Sequence, residues 1–176
     1  MMRPATIQIS TIALMLFCTL FPLHAVADRE KIRLANLPTT SPAELTDLSR
    51  SSDKEVRHAV AMNRRTPVLT LEKLAQDPDI DVRVAVATNL STTEDIFYIL
   101  AADNSEQVRS VVSRFEYVSA GVLAKLADDS SVDIRYEVAK NWNTNEATLE
   151  KLTKDKFTEV SMRAMQSLEE RQNSTP

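Results

Sequence analysis

The sequence predicts an all-α protein, a solenoid of five 26-residue, two-helix repeats. Three observations predict it. Leu48, Leu74, Leu100, Leu126 and Leu152 recur at a constant step of 26, three further apolar series keep that step without an insertion, and the chain holds one glycine. The companion series are Leu45, Leu71, Phe97, Leu123 and Leu149; Val56, Val82, Val108, Ile134 and Val160; and Val60, Val86, Val112, Val138 and Ala164. Four series in one register mark a repeat array. Nucleotide-binding loops, β-bulges and most hairpins rely on glycine, so its scarcity leaves helices as the elements available.

The first element is a leader. Arg3 gives a positive start, the run from Thr11 to Leu23 is apolar, and Ala25-Val26-Ala27 supplies small residues at a cleavage site. This predicts a signal peptide over residues 1–27, cut after Ala27, and a periplasmic or secreted mature chain that meets a membrane only through that transient segment. Pro22 and His24 interrupt the run and argue against a stable membrane span. With 21 basic against 25 acidic residues the formal charge is −4, and losing Arg3 with the leader makes it more negative. Phosphate backbones are therefore poor partners. Apolar residues at 43% and charged residues at 26% describe an ordinary globular chain.

Residues 28–40 read as an N-terminal half-repeat cap, because Arg33 to Thr40 echoes Val86 to Thr93. Residues 41–170 hold the five copies. In the second, Thr66 provides a capping hydroxyl before Pro67, and Leu71 and Leu74 share one face, so helix A is predicted over about Pro67 to Gln76. Asp77-Pro78-Asp79 breaks the chain, and Val82, Ala85 and Val86 mark the buried stripe of helix B, which ends near Asn89. Asn63, Asn89 and Asn141 are equivalent, and each is expected to close its helix in the left-handed conformation. The polar stretch 171–176 is expected to be a disordered tail.

These residues also carry a resemblance. The string Thr66-Pro67, Leu71, Leu74-Ala75, Asp77-Pro78-Asp79, Val82-Arg83, Ala85-Val86-Ala87 and Asn89 resembles the leucine-rich repeat variant family, which is similar to the wider HEAT and armadillo solenoids. The resemblance implies a right-handed superhelix of paired helices, one of each pair tight enough to contain 3-10 turns. Some members hold an iron-sulfur centre on an N-terminal cysteine cluster. Cys18, the only cysteine here, lies in the leader, so no cofactor is carried over. Phe115-Glu116-Tyr117 in copy three departs from the pattern, which elsewhere has an asparagine-bearing loop.

The regular polar feature is an aspartate followed six residues later by an arginine: Asp77 with Arg83, Asp103 with Arg109, and Asp129 with Arg135. Copy one keeps only Arg57 and copy five only Asp155. Four arginines at constant pitch could line an anion-binding edge, but the spacing reads better as a structural ladder bridging inter-helix turns and adjacent repeats. Glu55, Asp81, Asp133 and Glu159 stand at the start of helix B, where a carboxylate complements the helix dipole.

Catalysis is not expected. The mature chain has one histidine, His58, and no cysteine, so no nucleophile-and-base set and no metal site can be assembled from it. Gly121 has no companion for a phosphate loop. What stands out is an aromatic and cationic set in copies three and four: Arg114, Tyr117, Tyr136, Lys140 and Trp142. Tyr, Trp and Arg dominate binding hot spots. The rings either cover the rim of the core or anchor a partner, with Phe115 read as core. The role predicted is a non-enzymatic scaffold for an unidentified envelope protein. Two alternatives stay open: a HEAT-like lyase or hydrolase with Arg114, Glu116 and Tyr136 converging in a concave pocket, and a nucleic-acid-binding solenoid, which the leader and the charge oppose.

Overall fold

The computed structural model describes residues 26–174. All of the leader except Val26 and Ala27 lies outside them. Among the described residues the chain forms eleven α-helices and no strand. Helix α1 spans 26–36, most of it within the stretch 28–40 read from the sequence as a half-repeat cap. Five A helices of seven residues follow, α2 Pro42–Leu48, α4 Val68–Leu74, α6 Glu94–Leu100, α8 Ala120–Leu126 and α10 Glu146–Leu152. They alternate with B helices: α3 Lys54–Met62, α5 Ile80–Thr88, α7 Glu106–Arg114 and α9 Val132–Lys140, of nine residues each, and α11 Thr158–Ser174, of seventeen. No 3-10 segment occurs among them.

The B helices stack directly in one row, α3 on α5, α5 on α7, α7 on α9 and α9 on α11, and each A helix lies against the B helix of its own copy. The four apolar series form the core between the layers; every member is buried except half-buried Leu48. A single copy would leave both flanks of this stripe in water, so the fold is held by neighbours. Both ends are modified accordingly. Glu30 and Leu34 in α1 occupy the register of Val56 and Val60 on the next B helix. At the other end Met165, 53% exposed, replaces the small buried residue found at Ala61, Ala87, Ser113 and Ala139.

The caps differ from those the sequence suggests. Pro67 is itself the N-cap of α4, and the Thr66 hydroxyl donates to the Val60 carbonyl at 2.6 Å; Thr92 does the same to Val86. Asp53 and Asp79, just before α3 and α5, accept from the backbone of Glu55 and Asp81, leaving those two carboxylates in the first turn to complement the dipole. No residue has positive φ among those described. Asn63 and Asn89 are extended, with φ of −77° and ψ near 125°, because their amides are committed elsewhere. Asn63 Nδ2 donates to the Ala35 and Leu37 carbonyls, at 2.7 and 3.0 Å, and Asn89 Nδ2 to Ala61 and Asn63, at 2.6 and 3.0 Å. The lone glycine lies beneath the tip of a neighbouring side chain. A Cβ at Gly121 would collide with the Tyr98 hydroxyl, which crosses from α6 to α8.

The arginines and aspartates pair across 20 residues rather than six. Arg57 Nε and Nη2 donate to Asp77 at 2.7 and 3.0 Å, Arg83 to Asp103 at 2.6 and 3.0 Å, Arg109 to Asp129 at 2.7 and 3.1 Å, and Arg135 to Asp155 at 2.6 and 3.2 Å. The partner six residues back offers only its backbone carbonyl, to Nη1, as Asp77 does to Arg83 at 2.7 Å. Arg57 and Asp155 are thus fully paired, and the four rungs match the four junctions between five copies. The carboxylates also hold their own turns: Asp103 accepts from the Ser105 amide at 2.7 Å and Asp129 from Ser131 at 2.9 Å.

These pairs are largely buried, so removing one partner costs more than removing both. Arg109→Met should lower stability by about 3 kcal/mol, because it strands Asp129 in a desolvated turn, whereas Arg109→Met with Asp129→Leu should cost clearly less. Urea unfolding of the three proteins decides this.

Acid tests the same rungs. Burial alone would raise the carboxyls of Asp103 and Asp129, but the arginine hydrogen bonds and the turn amides outweigh it and hold both below the usual range; for Asp155 the Arg135 hydrogen bond is the leading cause. A carboxyl depressed in the folded state binds protons more readily when unfolded. Its stabilisation is therefore complete above the unfolded value of about 3.9 and is lost as pH falls from there through the lower folded value. Thermal melts should be flat from neutral pH to about pH 5 and should fall below about pH 4, with a shallower fall in Asp103→Asn.

Candidate partner-binding site

The loops that follow α7 and α9 lie side by side because asparagine side chains tie them together. Asn141 Nδ2 donates to the Ser113 and Phe115 carbonyls at 2.9 and 3.3 Å, and Asn143 Nδ2 to Glu116 and Val118 at 2.6 and 3.1 Å. With both amides spent on backbone, the side chain between them turns outward: Trp142 is 69% exposed. Arg114 and Lys140 end their helices in the last turn, where a cation meets the negative end of the dipole.

These groups line an open recess of about 480 Å³ with Arg114, Glu116, Glu137, Lys140, Trp142 and Asn143 on its walls. Arg114 is steadied by the Ser110 carbonyl at 3.2 Å and hydroxyl at 2.9 Å, and Lys140 stands 3.8 Å from Glu137. The charges balance around one ring. Such a surface can bind by stacking and by paired hydrogen bonds.

The structure brings together three of the five residues singled out from sequence, Arg114, Lys140 and Trp142. Tyr117, 64% exposed, stands apart from the lining, its ring edge-on to Phe115 at 5.6 Å. Tyr136 is half-buried against the core. Arg114 and Glu116 line the recess and Tyr136 does not, so the three residues named for a lyase or hydrolase pocket do not converge there. No group of three or more His, Cys, Asp or Glu side chains among the described residues could hold a metal ion, and none of their helices is long and apolar enough to cross a membrane.

One participant escaped the sequence reading. Arg171, assigned there to a disordered tail, belongs to α11, which runs to Ser174. Its Nη2 donates to the Trp142 carbonyl at 2.7 Å and its guanidinium lies 5.6 Å from the Trp142 ring centroid. The signal was present: Val160, Ala164, Ser167 and Leu168 continue a helical stripe that brings Arg171 onto the same face.

Residues 55–79 match the family model of the leucine rich repeat variant. That stretch is similar to the leucine-rich repeat variant. That match spans the α3 helix of copy one, the turn and α4, and takes in both residues of the Arg57–Asp77 rung. Among solved structures the chain is similar to one described as "a leucine-rich repeat variant with a novel repetitive protein structural motif", at 20% identity and a TM-score of 0.39, over 78% of this chain and 64% of that one. The chain thus spans somewhat less than two thirds of that protein's length. No curated protein matches it.

Trp142 is the only tryptophan, so its emission reports this edge alone. Arg171→Ala should increase acrylamide quenching of that emission, while lowering global stability by no more than about 1 kcal/mol, the worth of an exposed cation–π contact.

Proposed function

We propose that this protein is an exported, non-enzymatic scaffold that holds a protein partner of the bacterial envelope on the edge formed by copies three and four. The observation that carries the reading is Trp142: a large ring held outward by two asparagines whose amides serve the backbone, beside Arg114 and Lys140, at a position the repeat does not require to be aromatic. A core residue would be turned in. Exposed aromatic side chains beside arginine are the usual anchors of interfaces.

The mechanism is rigid presentation of the recess by copies three to five. The ladder and the B-helix row fix the pitch of the copies, and the outward positions of the B helices and their loops are free to vary. Two rows beside the buried stripe vary, one of His58, Val84, Ser110 and Tyr136, half-buried, with exposed Met162, and one, wholly exposed, of Met62, Thr88, Arg114, Lys140 and Gln166. Neither row repeats its chemistry from copy to copy, so each junction presents a different surface. Export rests on the leader, residues 1–27.

Photo-crosslinking from position 116 or 140 in intact cells should trap one envelope protein, and the trapped chain should begin at Asp28. Trp142→Ala with Tyr117→Ala should abolish that adduct while leaving the melting curve unchanged. An adduct that survives the double substitution, or a chain recovered only in the cytoplasm, would sink the proposal.

A further inference from the structure

The geometry points to a built-in flexure at the junction between copies two (67–92) and three (93–118), where the loop edge of the solenoid can open while the opposite edge stays pinned. The inference goes beyond the binding role and does not depend on it, since it concerns the motion of the array alone.

The loop edge of every other junction is tied by a side chain of one copy to backbone carbonyls of the copy before. Asn63 ties copy one to the cap through Ala35 and Leu37. Asn89 ties copy two to copy one through Ala61 and Asn63, with Ser91 adding a bond to the Arg64 carbonyl at 2.8 Å. Asn141 and Asn143 tie copy four to copy three. Ser167 ties copy five to copy four through the Ala139 carbonyl at 2.7 Å, and Arg171 through that of Trp142. At the remaining junction the equivalent residue is Phe115, and no side-chain hydrogen bond among the described residues reaches the Ala87 or Asn89 carbonyl.

What replaces the tie carries no hydrogen bond across the junction. The Phe115 ring packs on Phe97, centroids 5.7 Å apart, and on Tyr117, and all three belong to copy three. The second tie of the loop is lost in the same copy: Thr40, Thr66, Thr92 and Thr144 each close their loop with a hydroxyl donated to a B-helix carbonyl, and at that position copy three has Val118, buried and apolar. Both changes fall on one loop.

The turn edge of this junction keeps its rung, Arg83 to Asp103 at 2.6 and 3.0 Å. No other side-chain hydrogen bond crosses between copies two and three. Apolar packing of α5 on α7 is non-directional and tolerates small rotations, whereas hydrogen bonds to fixed carbonyls weaken steeply with angle. The rung is therefore the pivot and the loop edge the opening side. The motion tilts the cap and copies one and two as a unit against copies three to five, which carry the Trp142 recess.

The test uses the full chain with Cys18→Ser and paired spin labels on one row of exposed B-helix positions. Met62→Cys with Arg114→Cys spans the junction in question; Arg114→Cys with Gln166→Cys spans the two junctions after it, at the same sequence spacing. The first distance distribution should be the broader. Phe115→Asn restores the amide donor and should narrow it to the width of the second, with amide exchange around Ala87 to Ser91 slowed about tenfold, the effect of one added hydrogen bond. The converse variant, Asn141→Ala, should broaden the second distribution, and it decides the matter alone should Phe115→Asn fail to fold. Equal widths in the parent protein, or a second distribution unmoved by Asn141→Ala, would overturn the inference.

Discussion

The fold rests on a bidentate arginine–aspartate rung that crosses from the B helix of one copy to the inter-helix turn of the next. Its geometry explains the repeat's most regular polar pattern. Arginine offers two parallel donors through Nε and Nη2 to one carboxylate, and a third, Nη1, to the carbonyl that opens its own turn. The aspartate accepts both and takes a turn amide as well. One pair thereby fixes the exit of a helix A, the entry of a helix B and the offset between copies. An arginine or an aspartate here without its partner would be a buried charge, which is why the ladder stops cleanly. Position 51, where an aspartate would lack a preceding arginine, is Ser51, and position 161, in the register of the ladder arginines, is Ser161.

The opposite edge solves a different problem. A helix B that ends without glycine leaves carbonyls unmet, and a left-handed closing residue is the common remedy. This chain instead lets the residue after helix B stay extended and brings an asparagine amide from the next copy to the exposed carbonyls, with a threonine hydroxyl closing the loop from within. The remedy is available only to a repeat, since it borrows its donor from a neighbour. It also makes each loop depend on the copy that follows. Copy two shows the dependence by exception: the residue that would serve its loop from copy three is Phe115, which has no amide to give.

Periodicity made the core legible from sequence alone. Four apolar series in one register have only one arrangement in which all can be buried, so their places between two helical layers were readable before any coordinates. The polar partners were not. An aspartate six residues before an arginine looks like its partner, but neighbours in sequence compete with neighbours in space, and for an arginine at i the carboxylate that reaches it is that of residue i+20 rather than residue i−6. The asparagines misled for a similar reason, because local propensity favours a left-handed cap and a tertiary acceptor overrides it. Tyr136 was grouped with Trp142 on residue type, whereas α9 points it toward the core. Arg171 was set aside as tail because the stretch after it is polar, although the helical stripe leading to it was visible.

The same economy bears on how the surface can act. The ladder's four arginines and four aspartates cancel one another and are turned inward, so the chain's formal charge of −4 is carried wholly by other groups. An approaching partner does not meet the most regular charges in the molecule. The remaining charges are spread over all five copies, and those of the recess stand beside Trp142, where copies three and four depart from the pattern. A residue bound into the repeat's internal bracing cannot change without loosening a junction, whereas Lys140 pairs within its own copy, with Glu137, and the Trp142 ring meets α11 through the Arg171 guanidinium at the exposed edge. The recess is thus the counterpart of the ladder, and its chemistry is available because bracing has been delegated to Asn141, Asn143 and the rungs.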